Sequence, residues 1–223
     1  MSPRAKARTA SSALPGAALP RDMYTLVLEG DGWLAPARDI LRRPSPNHDQ
    51  RPGQEDPTLL VLHNISLPPG HFGGDAIIDF FCNTLDVSRH PWFENIRDLK
   101  VCAHFLIRRD GMIVQFAATT DRAWHAGVSS FRRRTHCNDF SIGIELEGTD
   151  HIPYTPAQYT RLAALTTALR ARHPLADVRG HEHIAPGRKT DPGPAFDWPR
   201  YGVEAGWPDA ALPAADDGSA GAC

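Results

Sequence analysis

Two hydrophobic periods divide this chain. Thr58 to His63 is a continuous apolar run closed by a histidine and followed by Asn64, the pattern of a central strand buried on both faces that delivers His63 at its carboxyl end. Phe140 to Glu147 alternates instead, with Phe140, Ile142, Ile144 and Leu146 on one face and Ser141, Gly143, Glu145 and Glu147 on the other. That strand meets a core on one side and presents two acids on the other. Ala103 to Arg108 and Met112 to Phe116 flank Arg109-Asp110-Gly111, and read as a hairpin because Asp and Gly tolerate positive φ. Met23 to Glu29 and Asp177 to Gly180 read as shorter strands.

The 3.6-residue period marks two helices. Asp75 is a candidate N-cap for a helix with Ile77, Ile78, Phe81 and Leu85 on one face. Thr155-Pro156-Ala157-Gln158 is a capping box with proline at the first helical position, opening a helix that turns Tyr159, Leu162, Leu165 and Leu169 to the core. His173-Pro174 ends it. Arg42 to Pro57, with Pro44, Pro46, Pro52 and Pro57 among polar residues, reads as a surface connection. Strands interspersed with helices make this an α/β chain.

The stretch Gly180 to Gly193 breaks both periods. Pro186, Gly187, Pro192 and Gly193 exclude a long regular helix, so a shaped loop is expected. It carries His181, Lys189 and Asp191. Imidazole nitrogen and carboxylate oxygen are the ligands a borderline metal such as zinc takes at about 2 Å, with one position left for water. In α/β sheets ligands bind at the carboxyl ends of strands, which makes His63 the candidate third ligand beside His181 and Asp191. Around such a site Lys189 is a cation for a developing oxyanion. Glu145 is a general base that returns its proton to a leaving amine. Spacing alone leaves His183 open as an alternative to His181, and triples with His104 or His125 remain open too. Arg132, Arg133 and Arg134 form either a solvated loop or, with Trp124, one side of a substrate enclosure.

Composition narrows the class. At 223 residues, 41% hydrophobic and 22% charged, with formal charge −2, the chain is an ordinary globular domain with no electrostatic reason to bind nucleic acid or a membrane. Cys82, Cys102, Cys137 and Cys223 lack Cys-x-x-Cys spacing and read as free thiols of a reducing compartment. Residues 1–22 carry Arg4, Lys6 and Arg8 but no credible signal core, since Pro15 and Gly16 interrupt the best apolar window. They read as a disordered arm, 23–205 as one domain and 206–223 as a mobile tail. A cytoplasmic location is expected, with no obligate protein partner.

Five stretches resemble the zinc-dependent N-acetylmuramoyl-L-alanine amidases that share the fold of peptidoglycan recognition proteins. They are Leu60 to Gly70, Ala103 to Gly111, Arg122 to Ser130, Cys137 to Asp150 and the Gly180 to Gly193 stretch. The resemblance implies a mixed central β-sheet flanked by helices and one Zn2+ held by His63, His181 and Asp191, which favours His181 over His183. It also implies Glu145 and Lys189 as catalytic residues and Lys100 as the contact for the stem-peptide carboxylate; Asn64 and Trp124 are further candidate substrate contacts. The narrower likeness is to cytoplasmic members that recycle cell wall. It implies hydrolysis of the amide between 1,6-anhydro-N-acetylmuramic acid and L-alanine in muropeptides, with an indirect effect on β-lactamase induction in organisms that have one. Two positions depart from the pattern: His183 stands where a small or polar residue is more frequent, and Lys100 where arginine is familiar, losing the bidentate fork.

Overall fold

The computed structural model describes residues 25–214; the arm 1–22 and residues 215–223, including Cys223, lie outside the described residues. The long strands are β3 (Leu59–Ile65) and β9 (Ser141–Glu147), side by side and parallel. With β1 (Ile40–Arg42), β4 (Phe105–Ile107), β5 (Ile113–Gln115) and β10 (Asp177–Gly180) they form a six-stranded sheet in the order β1-β5-β4-β9-β3-β10. Only the β4–β5 pair is antiparallel, joined through the Asp110-Gly111 turn, where Gly111 takes φ 90 and the Asp110 carboxylate accepts the Met112 N–H. Two small pairs complete the strands: β2 (His48–Gln50) with β6 (Asp121–Ala123), and β7 (Ser130–Phe131) with β8 (Arg134–Thr135).

Side-chain alternation assigns the two faces of the sheet. Leu60 and Leu62 of β3, Phe105 and Ile107 of β4, and Ile142, Ile144 and Leu146 of β9 meet Tyr159, Leu162, Leu165 and Leu169 of α2 (Pro156–Arg172). Each such leucine contributes about 1.5–3 kcal/mol by burial. The Thr155 capping box forms as the sequence requires. α4 (Trp198–Ala205) closes that side with Tyr201, and Trp207 and Ala211 are buried against the same core. Within the stretch expected as a mobile tail, Trp207 and Ala211 are thus packed against the domain.

The opposite face is covered by α1 (Ala76–Phe81) and irregular segments around Phe93, Ile96 and Phe116. α1 is shorter than its apolar pattern suggests. Asp75 makes no capping hydrogen bond, and the helix stops where Asn83 turns left-handed at φ 60, leaving Leu85 outside but against the same cluster; Asn tolerates that conformation.

Other expectations change. Thr25 to Glu29 makes only a bridge between Leu28 and Leu34 around the Gly30-Asp31-Gly32 turn, too little pairing for a strand. The proline-rich connection is mostly exposed, as expected, but it anchors itself through the buried Ser45, Asn47 and Arg51. The Arg51 guanidinium donates to the carbonyls of Asn138, Asp139, Thr119 and Ser141 at 2.8–3.3 Å, which offsets the cost of burying its charge. β9 is buried along its whole length; of its acids, Glu147 accepts the backbone N–H groups of Gly73 and Arg109, while Glu145 borders a cleft. Cys82, Cys102 and Cys137 are free.

Candidate active site

On the face opposite α2, β3 carries His63 and β9 carries Glu145, and the two are register partners. β10 runs parallel on the other side of β3, with Gly180 paired to Leu62. His181 follows at once, opening the single helical turn α3 (His181–Ile184), where the sequence pattern suggested only loop. Gly180 is required by space: a Cβ there would lie 2.6 Å from Pro192 Cδ. Its absence lets the returning Thr190-Asp191-Pro192 segment lie against the end of β10. The Glu182 N–H donates to the Asp191 carbonyl at 3.0 Å, and the Pro192 carbonyl accepts from Tyr154 Oη at 2.7 Å and Asn64 Nδ2 at 3.1 Å. Asp191 is thus fixed by backbone contacts on both sides.

The result is a tight triangle. His63 Nδ1 lies 3.0 Å from His181 Nδ1 and 3.0 Å from Asp191 Oδ2, and His181 Nδ1 lies 3.1 Å from the same oxygen. The His181 ring places Nε2 3.0 Å from the Ala126 carbonyl; donating there leaves Nδ1 with its lone pair. Ligands about 2 Å from a tetrahedral centre stand roughly 3.3 Å apart, so two imidazoles and a carboxylate at these separations fit a divalent metal. His183 does not join them: its Nδ1 accepts the Gly180 N–H at 2.9 Å and its ring packs on Trp198.

Electrostatics follow from burial and proximity. Burial, reinforced by His181, pushes the His63 imidazole down to about 4, favouring the neutral ring that a ligand must be. Burial works against the Asp191 carboxylate, yet its closeness to the two imidazoles holds it well below the usual range. Glu145 goes the other way, raised well above its ordinary value by burial and then by the charge of Asp191. Its Oε2 is buried with no hydrogen-bond partner. A carboxyl poised to hold a proton beside a metal triangle is suited to general acid and base work.

A cleft of about 350 Å³ opens over the triangle. Its lining combines the polar His63, Asn64, His125, Glu145, His181, Lys189 and Asp191 with the apolar Phe80, Trp92, Ile96, Leu99 and Val101. Lys189 is exposed at its mouth. Asn64 borders the cleft, but its amide is committed to Asp150 Oδ1 at 2.7 Å and to the Pro192 carbonyl, so it braces the Asp191 loop. Lys100 lines a separate shallow depression with Asn83 and Arg97, and Trp124 is half-buried outside the cleft lining. None of the three consecutive arginines lines the cleft: Arg132 pairs with Asp177 at 2.8 Å and Arg134 with Glu55 at 3.0 Å. His125, Ser141, Asp150 and Arg188 support the site although their spacing gave no reason to separate them from other polar residues. His125 alone was signalled, as one of the histidines left open. Arg188 donates to the carbonyls of Ala126 and Val128 at 2.8 and 2.6 Å.

The N-acetylmuramoyl-L-alanine amidase family profile matches residues 53–194, a span that contains every residue of the triangle, Glu145 and Lys189. The 1,6-anhydro-N-acetylmuramyl-L-alanine amidase AmpD of Citrobacter freundii is 59% identical over 177 residues, covering 78% of this chain and 93% of that protein. A crystal structure of a selenomethionine AmpD derivative superposes with a TM-score of 0.76 at 56% identity, covering 80% of this chain and 99% of the other. Human PGRP-IβC, at 16% identity and a TM-score of 0.53 over 80% of this chain and 100% of its own, shares the fold. The mixed sheet, the His63, His181 and Asp191 triangle beneath the cleft and these likenesses agree, and the chain belongs to the N-acetylmuramoyl-L-alanine amidase family, among its AmpD members.

Proposed function

We propose that this chain uses one zinc ion to hydrolyse the amide bond between the lactyl group of 1,6-anhydro-N-acetylmuramic acid and the L-alanine of a stem peptide, as a cytoplasmic step of peptidoglycan recycling. The observation that carries this reading is the pairing of the His63, His181 and Asp191 triangle with Glu145 one strand away, in a chain matching AmpD over 93% of that protein's length. When bound, zinc supplies Lewis acidity, lowering the pKa of a coordinated water toward about 7. The carboxylate of Glu145 takes a proton from the attacking water and returns it to the departing alanine nitrogen, a transfer its raised pKa favours. Lys189 faces the oxyanion that forms as the carbonyl carbon becomes tetrahedral. The apolar residues Phe80, Trp92, Ile96 and Val101 in the cleft lining offer a surface for the uncharged parts of the substrate. Among the described residues no helix is long and apolar enough to cross a membrane, in keeping with a substrate met in solution.

The test is mass spectrometry of 1,6-anhydro-N-acetylmuramoyl tripeptide incubated with the protein before chelation, after it, and after zinc add-back. Free tripeptide plus the anhydro sugar, lost with chelator and restored by zinc, is the expected result. Intact substrate with zinc bound would favour a peptidoglycan-binding module, the other role this fold serves.

A further inference from the structure

We infer that His125 and Ser141 are positioning residues that set the tautomer of His63 and so present its Nδ1 lone pair to the metal; this rests on the zinc reading above. The argument runs inward from an atom that only accepts. Ser141 Oγ lies 2.6 Å from the Cys137 carbonyl, so the hydroxyl donates there and keeps only lone pairs for other neighbours. His125 Nε2 lies 3.1 Å from that oxygen and must donate to it. A neutral imidazole carries one N–H, so His125 Nδ1 is a bare acceptor. His63 Nε2 lies 2.9 Å from it and must carry the proton of that contact. His63 Nδ1 is then left with its lone pair, facing His181 Nδ1 and Asp191 Oδ2 at 3.0 Å each.

With His181 fixed in the same tautomer by the Ala126 carbonyl, three electron-rich atoms converge with no proton between them. Such an arrangement is repulsive unless a cation sits among them, and the chain Cys137, Ser141, His125, His63 imposes it before any cation arrives. The fold makes room for this chain. Gly143 on β9 has ordinary extended backbone, but a Cβ there would come within 2.5 Å of His125 Cγ. The glycine serves as a seat for the ring. Asn138 Oδ1 accepts the backbone N–H groups of both His125 and Ala126 at 3.1 and 2.7 Å, so one side chain aligns the segments that orient both histidine ligands. Outer partners of this kind are typically worth 10- to 100-fold in metal affinity.

The experiment combines nitrogen-15 NMR of the histidine tautomers in zinc-free protein with competition titration of zinc. Wild type should show the Nε2–H form at both His63 and His125. His125→Phe, which keeps a ring but no acceptor, should weaken zinc binding 10- to 100-fold and release the His63 tautomer. His125→Asn, whose amide oxygen falls where Nδ1 was, should recover most of the affinity. Ser141→Ala should let His125 exchange tautomers; if that buried substitution disrupts folding, the His125 pair decides. An Nδ1–H form of His63 in the wild type, or equal zinc affinity in His125→Phe, overturns the inference. A wild type that binds no zinc removes the zinc reading instead, while the NMR measurement still judges the tautomer chain.

Discussion

His63 on β3 and Glu145 on β9 are direct register partners of two parallel strands. Both sit in buried stretches of their strands, so the sheet fixes their separation. One residue belongs to the triangle proposed to hold zinc and the other stands beside it, so the proposed roles of holding and turnover can be tested separately. Glu145→Gln should retain zinc, measured by metal analysis after gel filtration, while kcat falls by about 10²–10⁴. Asp191→Ala should lose the metal itself. Normal turnover in either variant would remove the assignment.

Lys189 offers charge at the cleft mouth without touching the triangle. Lys189→Ala should lower kcat by about 10²–10³ with KM and zinc content little changed. A rise in KM at constant kcat would mean that Lys189 serves ground-state binding.

Gly193 sits at φ 79, and a Cβ there would lie 2.4 Å from the Cα of Asp150. Both the conformation and the contact are with backbone, so no side chain can turn aside. Gly193→Ala should destabilise the protein by about 2 kcal/mol or more, read as a lowered Tm in calorimetry. An unchanged Tm would show that the loop has slack which the packing does not suggest.

His104 is fully buried, and the Gly143 N–H donates to its Nδ1 at 3.0 Å. Burial, then the nearby Arg51 charge, hold its pKa well below the ordinary 6.5. The unfolded chain therefore binds a proton near pH 6.5 that the folded chain refuses. Stability is full above that pH and declines as pH falls through it, by up to about 1.4 kcal/mol per unit. In zinc-free urea unfolding between pH 7.5 and 5.5, as chosen working values, His104→Asn should lose less stability than wild type. Parallel losses would exclude His104 as the source.

Much of the site was legible because its positions depend on local pattern. The apolar run of β3 announces a buried strand ending near His63, and the two-residue alternation of β9 puts Glu145 opposite the face that packs on α2. Gly180 and the prolines around Asp191 mark a loop held close. What stayed hidden depends on partners far along the chain. Arg51 is buried because carbonyls 68 to 90 residues away receive it. The arginines at 132 and 134 look available in sequence, yet they pair with acids that only the fold brings near. The roles of His125 and Ser141 arise from contacts across strands, and no spacing rule encodes them.

The triangle draws its donors from distant parts of the sequence: His63 and His181 are 118 residues apart. An ion shared between them cross-links the chain into a long loop, as a disulfide would. Closing a loop of that size removes conformational freedom from the unfolded state worth on the order of 4 kcal/mol. With zinc bound as proposed, the candidate site is also a clasp between the early and late parts of the domain. Stripping it should loosen the whole sheet and not only silence the chemistry.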